Sequence, residues 1–61
     1  MNGKTIIRKL EKSGFWCARV RGSHHIMTNG RIVCPVPVHG NKDIAIGTLK
    51  SIEKISGVIL R

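Results

Sequence analysis

Arg19, Arg21, Ser23, His24, His25 and Arg31 all fall within one short run, Arg19-Val20-Arg21-Gly22-Ser23-His24-His25-Ile26-Met27-Thr28-Asn29-Gly30-Arg31. An imidazole takes or gives a proton near neutrality, its unperturbed pKa being about 6.5. A guanidinium offers a planar fork of donors to phosphate oxygens. Together they suit metal-free cleavage of a ribonucleotide linkage. A base removes the 2′-hydroxyl proton, an acid protonates the leaving oxygen, and cations stabilise the charge gathering around phosphorus. The product of such a step carries a 2′,3′-cyclic phosphate.

Whether these groups meet depends on the turns around them. Gly22-Ser23 fits a type II′ turn, and Asn29-Gly30 fits a type I′ turn with positive φ at both central positions. Two tight turns imply three antiparallel strands. Closing the first turn pairs Arg21 with His24, Val20 with His25, Arg19 with Ile26 and Ala18 with Met27. Closing the second pairs Thr28 with Arg31, Met27 with Ile32, Ile26 with Val33 and His25 with Cys34. Directly paired residues share a face and neighbours alternate. One face then collects Trp16, Ala18, Val20, His25, Met27, Ile32, Cys34, Val36 and Val38, and is the core face. The other collects Cys17, Arg19, Arg21, His24, Ile26, Thr28, Arg31 and Val33. His24 is therefore the exposed histidine, set among arginines, while His25 packs inward. A single bulge would reverse part of this pattern.

The strands need a layer to pack on, and the flanking segments supply it. Residues 3–13 read as an amphipathic helix, with Ile6, Ile7 and Leu10 on one side and Lys4, Arg8 and Lys12 opposite. Gly14 suits the left-handed position after it, and Phe15 the apolar residue that packs back on the last turn. A second helix, from about Gly47 to Ser56, shows Leu49, Ile52 and Ile55 on one side and Lys50 and Lys54 nearly opposite, with Gly57 ending it. Between strands and helix, Pro35 and Pro37 lack ladder donors, which makes the third strand an edge. The predicted class is α+β: a two-layer α-β-β-β-α sandwich with a three-stranded antiparallel sheet and one sheet face open.

A chain of 61 residues is one domain, residues 1–61, too small to enclose a deep cavity, so any chemistry lies on an open face. Eleven Lys and Arg against three acids give a net charge of +8, for which a polyanion is the natural partner. Cys17 and Cys34 fall on opposite predicted faces, an awkward geometry for a disulfide. No signal peptide or apolar run of spanning length is recognisable, so the expectation is a cytoplasmic protein with two reduced thiols and no membrane contact. No CxxC or HxxxH spacing suggests a metal, and no small-molecule cofactor is implied.

The element order, Gly22-Ser23-His24, Val36-Pro37-Val38-His39 and Ile46-Gly47-Thr48-Leu49-Lys50-Ser51-Ile52 together resemble the HicA toxins of type II toxin-antitoxin systems, over nearly the whole chain. The resemblance implies a double-stranded-RNA-binding-like fold and ribonuclease activity on mRNA that blocks translation. It also implies a HicB-type antitoxin that covers the active surface, and it places the family's catalytic histidine on His24.

His24 is thus the predicted general base or acid, with Arg19, Arg21, Ser23, Arg31 and Lys50 as RNA-binding residues. His39 is a candidate second acid or base. It lies four residues beyond Pro35, the position predicted to face His24, or about 13 Å along an extended strand. Phe15 and Trp16, the only aromatics, both fall at predicted core positions. Base stacking is then weak, and recognition rests on backbone and shape. The competing reading is a non-catalytic double-stranded-RNA-binding module, which needs the basic residues but no exposed histidine. A third is a subunit whose open sheet face is a protein interface.

Overall fold

Asn2 opens the first helix by accepting the Thr5 backbone N–H on its Oδ1 at 2.9 Å, one of the orphan donors every helix start leaves. In the computed structural model, which describes residues Met1–Arg61, α1 (Gly3–Lys12) is followed by β1 (Trp16–Arg21), β2 (His24–Thr28), β3 (Val33–Pro37) and α2 (Ile46–Ser56). The helix ends as its sequence requires. Phe15 N–H donates to Leu10 O at 3.0 Å and Gly14 N–H to Glu11 O at 3.1 Å, with Gly14 at φ +94°, the Schellman pattern. Phe15 is buried beneath that turn.

The strands form one antiparallel sheet in the order β1-β2-β3. Both helices pack against β3 and leave the far sheet face open, which is the expected two-layer α-β-β-β-α sandwich. The core joins Ile6, Leu10, Phe15, Met27, Cys34, Val36, Leu49, Ile52 and Leu60. Gly3 lets α1 seat closely on the end of β3, since a Cβ there would lie 2.5 Å from Pro37 O and 2.9 Å from Val38 Cγ2.

The β1–β2 turn closes on the Arg21↔His24 pair. Gly22 has φ +59° and no other residue type has positive φ, so Ser23 does not, as a type II′ turn requires. The second turn differs from expectation. Thr28 pairs with Val33, not Arg31, so Asn29 to Ile32 form a longer loop. Asn29 keeps negative φ, which rules out type I′. Its side chain acts instead, with Oδ1 accepting from Arg31 N–H at 3.0 Å and Ile32 N–H at 2.8 Å. The register of β3 moves by two residues, an even number, so every side chain keeps its predicted face.

In β1 the correction is larger. Cys17 pairs with Met27 and Arg19 with Ile26, leaving Ala18 as the extra residue of a bulge. From Arg19 onward the predicted faces hold, but before it they reverse. Cys17 joins the helix side and Trp16, opposite Thr28, joins the open side, where it is 51% exposed. The helices pack on β3 far more than on β1, and none of the β1 residues is buried, Ala18 and Val20 included. Cys17 and Cys34 therefore share a face, both with free thiols, but each pairs with Met27 from its own side. Two strand spacings, about 9.5 Å, exceed what a disulfide spans.

In α2, Leu49, Ile52 and Ser56 are buried, and Ile55, expected inside, is 47% exposed. Its place is taken by Leu60, drawn onto the core when Glu53 Oε2 accepts the Leu60 backbone N–H at 2.8 Å. Arg61 adds an ion pair to Glu53 at 3.1 Å. These hydrogen bonds, that to Leu60 foremost, hold the Glu53 carboxyl below its ordinary range.

Past β3 the ladder continues for one residue, with Val38 N–H donating to Ser23 O at 2.8 Å. Alternation along the strand then directs the amides of Val36 and Cys34 toward β2 as well. Pro35 and Pro37 occupy the outward positions, where no donor is lost from the sheet.

Candidate active face on the open side of the sheet

His24 begins β2 and is exposed, flanked by Arg21 on one side and Pro37 on the other. Opposed residues in such a ladder bring their Cβ atoms to about 4.5–5.5 Å, so the Arg21 guanidinium has the imidazole within reach. Arg19, opposite Ile26, shares this face further along. Both arginines are exposed. The ion pairs of the structure, Arg61–Glu53 at 3.1 Å and the Met1 amine–Asp43 at 3.3 Å, involve neither. Their charge is uncompensated and available to an anion.

Not every predicted residue joins them. Arg31 lies in the Asn29–Ile32 loop, exposed, at the opposite end of β2 from His24. Lys50 is exposed on α2, in the helix layer, and is not brought to the open sheet face. Ser23 is half-buried at the hairpin tip, and its carbonyl is engaged by Val38. His25 points to the helix side, opposite Val36, and is half-buried. Its Nδ1 stands 4.0 Å from Cys17 Sγ.

His39 is nearer His24 than the sequence suggested. Pro37 rather than Pro35 faces His24, and Val38 is tied to Ser23, so His39 stands two residues past the opposing position. In a continued ladder that is a diagonal neighbour, with a separation of about 7–8 Å. His39 is exposed, and its carbonyl accepts from Lys42 N–H at 3.1 Å in the following turn.

The one surface recess, lined by Glu53, Gly57, Val58, Ile59 and Arg61, contains none of these residues; the arginine-flanked histidine lies on an open surface. No three His, Cys, Asp or Glu side chains cluster closely enough to hold a metal ion, and no helix is long and apolar enough to cross a membrane. Sequence reasoning missed Trp16 as a member of the open face. A signal was present, because Phe15 was already assigned to the core and neighbours in extended chain point opposite ways.

These features define a small basic α+β domain that presents one histidine and unpaired arginines on an uncovered sheet. The family model for the HicA toxin of bacterial toxin-antitoxin matches residues 3–58, and the chain belongs to the HicA toxin family. It is therefore a toxin of a toxin-antitoxin pair, with an antitoxin as its partner. No curated protein matches the chain.

Proposed function

We propose that this toxin is a metal-independent endoribonuclease that cleaves mRNA in the cytoplasm and so arrests translation. A HicB-type antitoxin would restrain it by covering the open sheet face. The observation that carries the reading is the exposed His24 paired across the hairpin with Arg21. In the proposed step His24 takes the proton from a ribose 2′-hydroxyl, and the resulting oxygen attacks phosphorus. The bond from phosphorus to the 5′-oxygen breaks, and that oxygen takes a proton from a second group, for which His39 is the nearest candidate by register. The products are a 2′,3′-cyclic phosphate and a 5′-hydroxyl. Arg19 and Arg21 bind the non-bridging oxygens, whose charge grows as the new bond forms. An antitoxin suited to this face offers acidic side chains to the same arginines.

Expression of the wild type beside His24→Ala and His25→Ala tests the reading, with growth and RNA integrity as readouts. Arrest with RNA decay is expected from the wild type and His25→Ala, and from neither in His24→Ala. Purified wild type should cut RNA in EDTA and leave cyclic phosphate ends. Arrest that survives His24→Ala would overturn the assignment. RNA binding without cleavage would favour the non-catalytic module.

A further inference from the structure

We infer that Trp16 is a nucleobase platform, stacking an unpaired base of the same RNA whose scissile phosphate lies at His24 and Arg21, and that the substrate is single-stranded. This rests on the proposed RNA reading and goes further by naming the form of RNA and a second contact for it.

The placement of Trp16 is unusual for so large an apolar side chain in a small domain. The bulge at Ala18 rotates it onto the open face, and the residue is 51% exposed. The core closes without it, with neighbouring Phe15 filling the adjacent interior position. The ring is nonetheless supported. A Cβ on Gly30 would lie 3.5 Å from Trp16 Cη2, so one ring edge rests against the Asn29–Ile32 loop, which the Asn29 side chain holds by two hydrogen bonds. An aromatic surface that is solvent-facing and braced at its edge can accept a flat partner at small entropic cost.

Charge selects the partner. Arg19 and Arg21 share this face, exposed Arg31 follows Gly30 in the loop, and none of them has a carboxylate partner. The whole chain carries +8. An anionic chain with flat, apolar side groups answers both the guanidinium groups and the indole, and an RNA strand is such a chain. In a duplex, neighbouring pairs cover the faces of each base, so only an unpaired base can stack on a side chain. The Trp16↔Thr28 and Arg21↔His24 pairs sit at opposite ends of the hairpin. They are about 13 Å apart along β2, or no more than about four nucleotides at the stacked rise of 3.4 Å.

Trp16 is the sole tryptophan of the chain, so native fluorescence reports on it directly. The probe is a short single-stranded RNA with 2′-O-methyl riboses, which cannot supply the attacking hydroxyl. It is compared with its duplex and with versions carrying one abasic position. The single strand should quench the indole emission, and one abasic position should remove most of the quench. The duplex should quench far less. Trp16→Ala should weaken single-strand binding by about 5- to 150-fold, the worth of one base–aromatic stack, with the salt slope unchanged because no charge is lost. Trp16→Phe should retain most of the affinity.

Equal quenching by duplex, unchanged RNA affinity in Trp16→Ala, or a loss confined to antitoxin affinity would overturn the platform. Cleavage of unmodified RNA at equal rates by wild type and Trp16→Ala would end this inference and leave the ribonuclease reading standing. Quenching by single strands with no cleavage by the wild type would do the reverse. Failure to bind any RNA would end both.

Discussion

The two outer strands of the sheet have opposite surroundings. Cys34 and Val36 of β3 are fully buried beneath the helices, whereas all six residues of β1 are exposed. Burial of a Leu or Ile side chain contributes about 1.5–3 kcal/mol, so the side of the sheet under α1 and α2 holds most of the stabilisation. The other carries Arg19, Arg21, His24 and Trp16, all of them exposed. A domain this small separates folding from recognition by sheet face, and β2 serves both, with Met27 buried under the helices and His24 exposed on the far side.

Substitutions on the two sides test that division. His24→Ala should lower RNA cleavage by about 10²–10⁴-fold, the range for loss of a proton-transfer group. Its unfolding free energy should stay within about 0.5 kcal/mol of wild type. A drop in stability large enough to explain the lost activity would break the comparison. Leu49→Ala should cost about 2–5 kcal/mol, against a total of about 3–9 kcal/mol for a chain this size. Urea denaturation should find much of the variant unfolded before denaturant is added, and a fully folded Leu49→Ala would place the stability elsewhere.

Smaller effects sharpen the picture. Arg19→Ala and Arg21→Ala should each reduce the slope of log affinity against log salt by about 0.7 for single-stranded RNA, without shifting the thermal midpoint. Lys50→Ala, in the helix layer, should change that slope less. Smallest is the acid response of the C-terminal residues. Glu53 is held below the ordinary carboxylate range by the Leu60 amide, so its contribution is complete above that range, about pH 4.3. It is lost as pH falls through the folded-state value. Urea midpoints measured on acidification should fall for wild type, and Glu53→Gln should show a flatter decline.

Much of this architecture was legible because local chemistry and global fold agree. Gly14-Phe15 ends α1 as its residues require, Gly22-Ser23 sets the first turn, and the alternation of Arg19, Arg21 and His24 puts them on one face whichever loop joins β2 to β3. What escaped has little local signature. Ala18 is as compatible with a regular strand as with a bulge, so the one hint of the reversal that exposes Trp16 was its place beside the inward Phe15. Asn29 satisfies two amides with its side chain rather than adopting positive φ, and the turn preference of Asn-Gly does not distinguish these uses. Leu60 reaches the core through a hydrogen bond to Glu53, seven positions earlier, which no periodicity anticipates. Among the candidate site residues, the placement of Arg19, Arg21 and His24 followed from one turn, whereas that of His39 depended on the length of another.

The outward-facing Pro35 and Pro37 have a consequence for how this chain meets other proteins. A foreign strand laid along that border would find carbonyl oxygens but no amide donors at alternate positions, so it could not zip on in register. Copies of the chain cannot polymerise through that border into extended ribbons, and a partner is left with strand addition at the other border, β1, or contact with the sheet broadside.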